Sequence, residues 1–103
     1  MTKEEQKSYM VSILEKIVNI PSPSGYTKEV MAALAAEAQS MGYEVEYNHK
    51  GGIIILVPGK SEQVLGLGAH GDTLGAMVRS VTKDGYLKIF PVGGYMMSTI
   101  EGA

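Results

Sequence analysis

The stretch LGLGAHGDTLGAMV, Leu65–Val78, decides how this chain is read. An apolar β-type run, Val64-Leu65-Gly66-Leu67-Gly68-Ala69, gives out in His70-Gly71-Asp72. On an extended strand, residues two apart point to the same side. The spacing therefore predicts that His70 and Asp72 face one direction at the carboxyl end of a Val64–Ala69 strand. Neutral imidazole is the commonest protein metal ligand. A ligating His usually hands its other ring N–H to a carboxylate or carbonyl, which sets its tautomer. The glycines around the pair leave room for a metal and a substrate to approach. A purely structural pair, with Asp72 capping a turn, is the competing reading, and the residues alone leave both open.

The same run matches the formal pattern G-x-G-x-x-G over Gly66–Gly71. A dinucleotide phosphate loop must leave a strand and open a helix, so that the helix N-terminus meets the pyrophosphate. Here Asp72-Thr73-Leu74-Gly75 leads into another β-type segment, and the required context is missing.

Working outward, Met10, Ile13, Leu14 and Ile17 recur at helical spacing and predict a helix from about Thr2 to Val18. It ends near Ile20, because Pro21 and Pro23 disfavour helical geometry in the residues before them. Pro21-Ser22-Pro23-Ser24-Gly25 is a turn segment. Thr27 is placed to cap a second helix, in which Val30, Met31, Leu34, Ala38 and Met41 share a face. Gly42 suits the left-handed position after its end. From Tyr43 the period changes. Glu44-Val45-Glu46-Tyr47 alternates like a half-exposed strand, Lys50-Gly51-Gly52 turns the chain, and Ile53–Val57 is a continuous β-branched run suited to burial on both faces. After the His-Asp site come Ala76–Thr82 and Tyr86–Val92, joined by the hairpin signal Asp84-Gly85. The order is two helices, three strands, a polar site and a β-hairpin. The fold class is α/β, with residues 1–75 as a piece of an α/β layer and residues 76–103 as the opening of an all-β unit.

The chain has 103 residues, 45 % of them apolar and 19 % charged, with a net charge of −2. It reads as one globular domain or part of one. The balance supplies no basic face for nucleic acid, and no apolar run approaches membrane-spanning length. The absence of cysteine removes disulfides and thiolate chemistry and fits a reducing cytoplasm. Only His49 and His70 could act as imidazole ligands, and His49, beside a polar turn, reads as a solvated loop residue. Ser22 and Ser24 lack a partnering base and an elbow context, so a serine hydrolase is a poor reading. Glu44 and Glu46 share a strand face but read as solvated, and the seven methionines read as packing residues.

Several segments together carry a resemblance. They are Ser22-Pro23-Ser24-Gly25-Tyr26, Lys50-Gly51-Gly52-Ile53-Ile54, Ala69-His70-Gly71-Asp72-Thr73-Leu74-Gly75-Ala76-Met77-Val78, Asp84-Gly85-Tyr86-Leu87 and Val92-Gly93-Gly94. In this order the chain resembles the amino-terminal part of the tetrahedral, or glutamyl, aminopeptidases. Some relatives of that family carry deblocking-aminopeptidase or endoglucanase labels. The resemblance implies the start of an α/β/α metallopeptidase catalytic domain, followed by the first strands of an inserted β-domain that drives homo-oligomerisation. It implies removal of N-terminal residues from peptides by metal-activated water, with two divalent ions, zinc or cobalt. By the same match His70 is a metal ligand and Asp72 the catalytic-site partner that orients it.

The family's bridging Asp, general-base Glu, adjacent Glu ligand, further carboxylate and second His find no counterpart in this sequence. Where the family often has Asp-x-x-Gly-Asn in the first hairpin, Asn48-His49-Lys50-Gly51-Gly52 stands here. A catalytic zinc normally has three protein ligands. The expectation is therefore an amino-terminal fragment that binds metal weakly or not at all and is inactive alone. The alternative is a stand-alone, non-catalytic assembly or regulatory module on the same scaffold. A cellulase reading lacks an aromatic platform, with no Trp, one Phe and six scattered Tyr.

Overall fold

Helix α1 (Lys3–Val18) starts where a capping box forms: Thr2 Oγ1 accepts the Glu5 N–H at 3.2 Å, and Glu5 Oε2 accepts the Thr2 N–H at 2.6 Å. The computed structural model describes residues 1–102; Ala103, the last residue of the expected 76–103 unit, lies outside them. At the other end of α1, Asn19 occupies the C-cap and its amide donates to the Glu15 carbonyl at 2.7 Å. The docked stripe is Tyr9, Ile13 and Ile17, all half-buried, whereas Met10 and Leu14 of the expected face are exposed. The reason is a polar clip on α2 (Lys28–Ser40). Tyr9 O–H donates to Glu37 Oε1 at 2.8 Å, and Lys16 Nζ meets Glu37 Oε2 at 3.1 Å. These two anchors rotate α1 so that the i, i+4, i+8 row through Tyr9 faces α2.

The Tyr9 hydroxyl, followed by Lys16, holds the Glu37 carboxyl below the usual carboxylate range, against a smaller opposing effect of partial burial. A group more acidic in the folded than in the unfolded chain stabilises fully above its ordinary range, about pH 4.3 for Glu, and loses that contribution as pH falls through the lower folded value. Glu37→Gln is thus expected to flatten the acid limb of stability against pH, measured by denaturant unfolding followed by circular dichroism. An acid limb as steep as that of the parent would show that the clip does not couple to folding.

On α2, Val30, Ala35 and Ala38 are buried and form the apolar core together with half-buried Met31 and Leu34, while Met41 is exposed. Thr27 stands at the N-cap position, but its side chain makes no capping bond. Gly42 takes φ +86°, as its position after the helix requires. Helix α2 packs on a two-stranded antiparallel sheet, β1 (Glu44–Tyr47) and β2 (Ile53–Leu56), in the register Tyr47 opposite Ile53. A second antiparallel pair, β3 (Gly75–Val81) and β4 (Leu87–Val92), carries a bulge between Val78 and Ser80.

The two hairpins use the same turn. Gly51 N–H donates to the Asn48 carbonyl at 3.0 Å and Gly85 N–H to the Thr82 carbonyl at 3.1 Å, with φ of +81° and +84° at the two glycines. The strands close behind them through Asn48 N–H to Gly52 and Thr82 N–H to Tyr86. This is a three-residue loop whose last residue must adopt a left-handed conformation, which explains glycine at 51 and 85. Asn48 Oδ1 and Thr82 Oγ1 each complete the turn by accepting backbone N–H groups.

Three expectations are corrected. Val64–Ala69 forms no strand: it has no ladder partner, and Val64, Leu65 and Leu67 are 94 %, 84 % and 91 % exposed. A β-type composition favours an extended chain, but a strand exists only where another strand takes its N–H and C=O groups. The Ile53–Val57 run ends as a strand at Leu56, and Ile54, Ile55 and Leu56 are partly exposed instead of buried on both faces. Among the methionines only Met31 packs; Met1, Met10, Met41, Met77, Met96 and Met97 are exposed. The result is an α/β mixture of two helices and two small antiparallel sheets. Its radius of gyration is 18.1 Å, against about 13 Å for a compact chain near this length. Among the described residues no helix is long and apolar enough to cross a membrane.

Candidate functional site

The segment that carries His70 and Asp72 is held by the Pro21–Gly25 loop. Pro23 and Thr73 form a parallel bridge, and Thr73 N–H donates to the Ser22 carbonyl at 2.8 Å. Ser22 is buried, with its hydroxyl 3.3 Å from Thr73 Oγ1. Two glycines permit this packing. A Cβ on Gly71 would sit 2.6 Å from Met31 Cε of α2, and one on Gly75 would sit 2.6 Å from Pro23 Cβ. Tyr95 O–H fixes the start of β3 by donating to the Gly75 carbonyl at 2.7 Å. Gly71 and Gly75 therefore admit protein neighbours, whereas Gly66 and Gly68 face open space.

His70 and Asp72 lie side by side, as their spacing predicts, although on an irregular segment just before the Pro23–Thr73 bridge and not at the end of a Val64–Ala69 strand. His70 Nδ1 is 3.0 Å from Asp72 Oδ1 and 3.0 Å from the Asp72 carbonyl oxygen. An ionised carboxylate and a carbonyl can only accept, so Nδ1 carries the proton, and in the neutral ring Nε2 is the nitrogen left with a lone pair. The His70 side chain is 84 % exposed and that of Asp72 41 %. Ser24 Oγ donates to the other carboxylate oxygen, Asp72 Oδ2, at 2.6 Å. That hydroxyl is the main reason the Asp72 carboxyl is held below its usual range; partial burial opposes it and the His70 hydrogen bond adds to it.

The Ser24 contact went unread in the sequence, where that serine has no local partner. The Pro23-Ser24-Gly25-Tyr26 turn is visible there, but nothing local says that it meets Asp72. His49, Glu44 and Glu46 are exposed, as expected of solvated residues. The next regular element after Gly66–Gly71 is strand β3, not a helix, so no dinucleotide phosphate loop is built. Among the described residues no group of three or more His, Cys, Asp or Glu side chains is placed to hold a metal. In the neutral Nδ1–H form the nitrogen of the pair that could donate to a metal is Nε2 of His70.

Fold and site together define an α/β protein that presents one oriented imidazole donor. Residues 51–103 match the family described as M42 glutamyl aminopeptidase. The chain is 41 % identical over 93 residues to the Bacillus subtilis protein named "Putative aminopeptidase YhfE", a match covering 89 % of this chain and 27 % of that protein. It is 32 % identical over 89 residues to a lysyl aminopeptidase of Pyrococcus furiosus, covering 85 % of this chain and 25 % of the relative. It is 30 % identical over 91 residues to a glutamyl aminopeptidase of Lactococcus lactis, covering 86 % and 26 %. The chain belongs to the M42 glutamyl aminopeptidase family. It spans about a quarter of the length of the curated relatives it matches.

Proposed function

We propose that this chain contributes the first metal-donor arm of a metal-dependent aminopeptidase acting on peptide N-termini in the cytoplasm. The observation that carries the reading is the 3.0 Å contact between His70 Nδ1 and Asp72 Oδ1, which leaves Nε2 of an exposed imidazole free to donate. His70 is the ligand and Asp72 holds its tautomer and ring orientation, the usual division of labour behind a ligating His. Nε2 of His70 would hold one donor position of a divalent ion, zinc or cobalt, which when bound would supply Lewis acidity and activate a water. A catalytic zinc normally takes three protein ligands, so the other donors and the general base come from outside the described residues. In this reading residues 1–75 begin the catalytic domain, and residues 76–103 begin an inserted β-domain through which copies of the enzyme assemble. The names of the relatives, glutamyl and lysyl aminopeptidase, make acidic and basic N-terminal residues the first substrates to try.

The test places residues 1–103 in the Bacillus subtilis relative, in place of its matching segment, and assays hydrolysis of glutamyl and lysyl chromogenic amides. Metal-dependent release that disappears in His70→Ala supports the reading. Release that persists in His70→Ala rejects it. The 103-residue chain by itself is expected to show no hydrolysis; hydrolysis by it that required His70 would mean that another copy completes the site.

A further inference from the structure

Asp72 has two carboxylate oxygens, and only one faces His70. The terminal torsion of an Asp side chain is broad, and this side chain is 41 % exposed. The His70 contact holds the carboxylate by one oxygen only. The second oxygen, however, is tied at 2.6 Å to the Ser24 hydroxyl. Ser24 is itself fixed. Tyr26 N–H donates to the Pro23 carbonyl at 2.7 Å, and Gly25 has φ +90°. This is a type II turn with Ser24 at its second position and the glycine that the third position demands. One residue before the turn, the Ser22 carbonyl accepts the Thr73 N–H, so residues 22–24 and 72–73 run in register.

We propose that Ser24 is a positioning residue for His70: held by its turn, it anchors Asp72 Oδ2 so that Oδ1 meets the His70 Nδ1–H and the Nε2 lone pair stays exposed. The proposal rests on the reading of His70 as a metal donor and adds a group that supports its tautomer beside the Asp72 carbonyl oxygen, which lies 3.0 Å from Nδ1. Which ring nitrogen carries the proton is set by the hydrogen bond the other part of the ring makes. An exposed histidine in water otherwise prefers the Nε2–H tautomer, which cannot donate from Nε2. Ser24 thus acts through Asp72, without touching the metal position.

The tautomer is read directly, without metal, by long-range proton–nitrogen correlation NMR of the 103-residue chain labelled at histidine nitrogen. The measurement is made at about pH 8, above the ordinary imidazole range. His49, exposed in its hairpin loop, is the only other histidine and serves as the internal reference. In the parent chain His70 is expected as Nδ1–H. In Ser24→Ala the ratio of Nδ1–H to Nε2–H should fall about two- to ten-fold, the range for one hydrogen bond. Ser24→Thr, which keeps the hydroxyl, should restore it, with His49 unmoved throughout. If Ser24→Ala disturbs the backbone spectrum, Ser24→Cys, a weak donor of similar size, replaces it and should give the same fall.

A ratio that is unchanged in these variants but lost in Asp72→Asn overturns the role of Ser24 and leaves the donor reading intact. A parent chain with His70 mainly in the Nε2–H form overturns both.

Discussion

Asp72→Asn is expected to weaken metal binding at His70 by about 10- to 100-fold, the usual effect of losing the group behind a ligating His. In the chimera with the Bacillus subtilis relative, the affinity is measured by competition with a chromophoric chelator. The substitution keeps the shape of Asp72 and removes its charge. A neutral amide oxygen accepts the His70 Nδ1–H roughly half as strongly as the carboxylate does. The amide can also turn its NH2 towards Nδ1, now 3.0 Å from Asp72 Oδ1, and there it favours the imidazole tautomer that cannot ligate. His70→Ala should be more severe, because it removes the donor. Parent-like affinity in Asp72→Asn would mean that the carboxylate does not hold the ligating tautomer; parent-like affinity in His70→Ala would mean that His70 binds no metal.

The second large effect concerns assembly. Val64, Leu65 and Leu67 stand 94 %, 84 % and 91 % exposed on a segment whose backbone joins no sheet. Fully burying such side chains is worth about 1.5–3 kcal/mol each, so the three together offer roughly 5–9 kcal/mol. Association costs of order 4–15 kcal/mol before any contact is made. The apolar segment alone therefore brings self-association near balance, and the partly exposed Ile54, Ile55 and Leu56 of β2 and the free edges of both hairpins add to it. Sedimentation equilibrium of the 103-residue chain at tens of micromolar, the scale at which exposed apolar surface aggregates, is expected to show concentration-dependent oligomers. Val64→Lys with Leu67→Lys should shift the chain to monomer. A parent chain that sediments as a monomer over that range would show that these surfaces do not drive association, and the stand-alone-module alternative would gain.

The sequence by itself determined what depends on neighbours along the chain. Helix α1 stops at Val18, three residues before Pro21, and helix α2 stops at Ser40 just before Gly42 turns left-handed. The two hairpin turns follow from glycines at 51 and 85 behind Asn48 and Thr82. His70 meets Asp72, two residues on, although no strand forms there. Everything that needs a distant partner was decided only by the tertiary structure. Glu37 on α2 selects the Tyr9 row of α1 over the Met10 row, although apolar periodicity alone favours the latter. The Val64–Ala69 run reads as a strand from composition and is not one, because composition sets an extended backbone while pairing supplies the ladder. Ser24 reaches Asp72 across 48 residues. That contact exists because Gly71 lets its segment lie against α2 and Gly75 lets Pro23 pack close, a matter of the space between elements that no local pattern encodes.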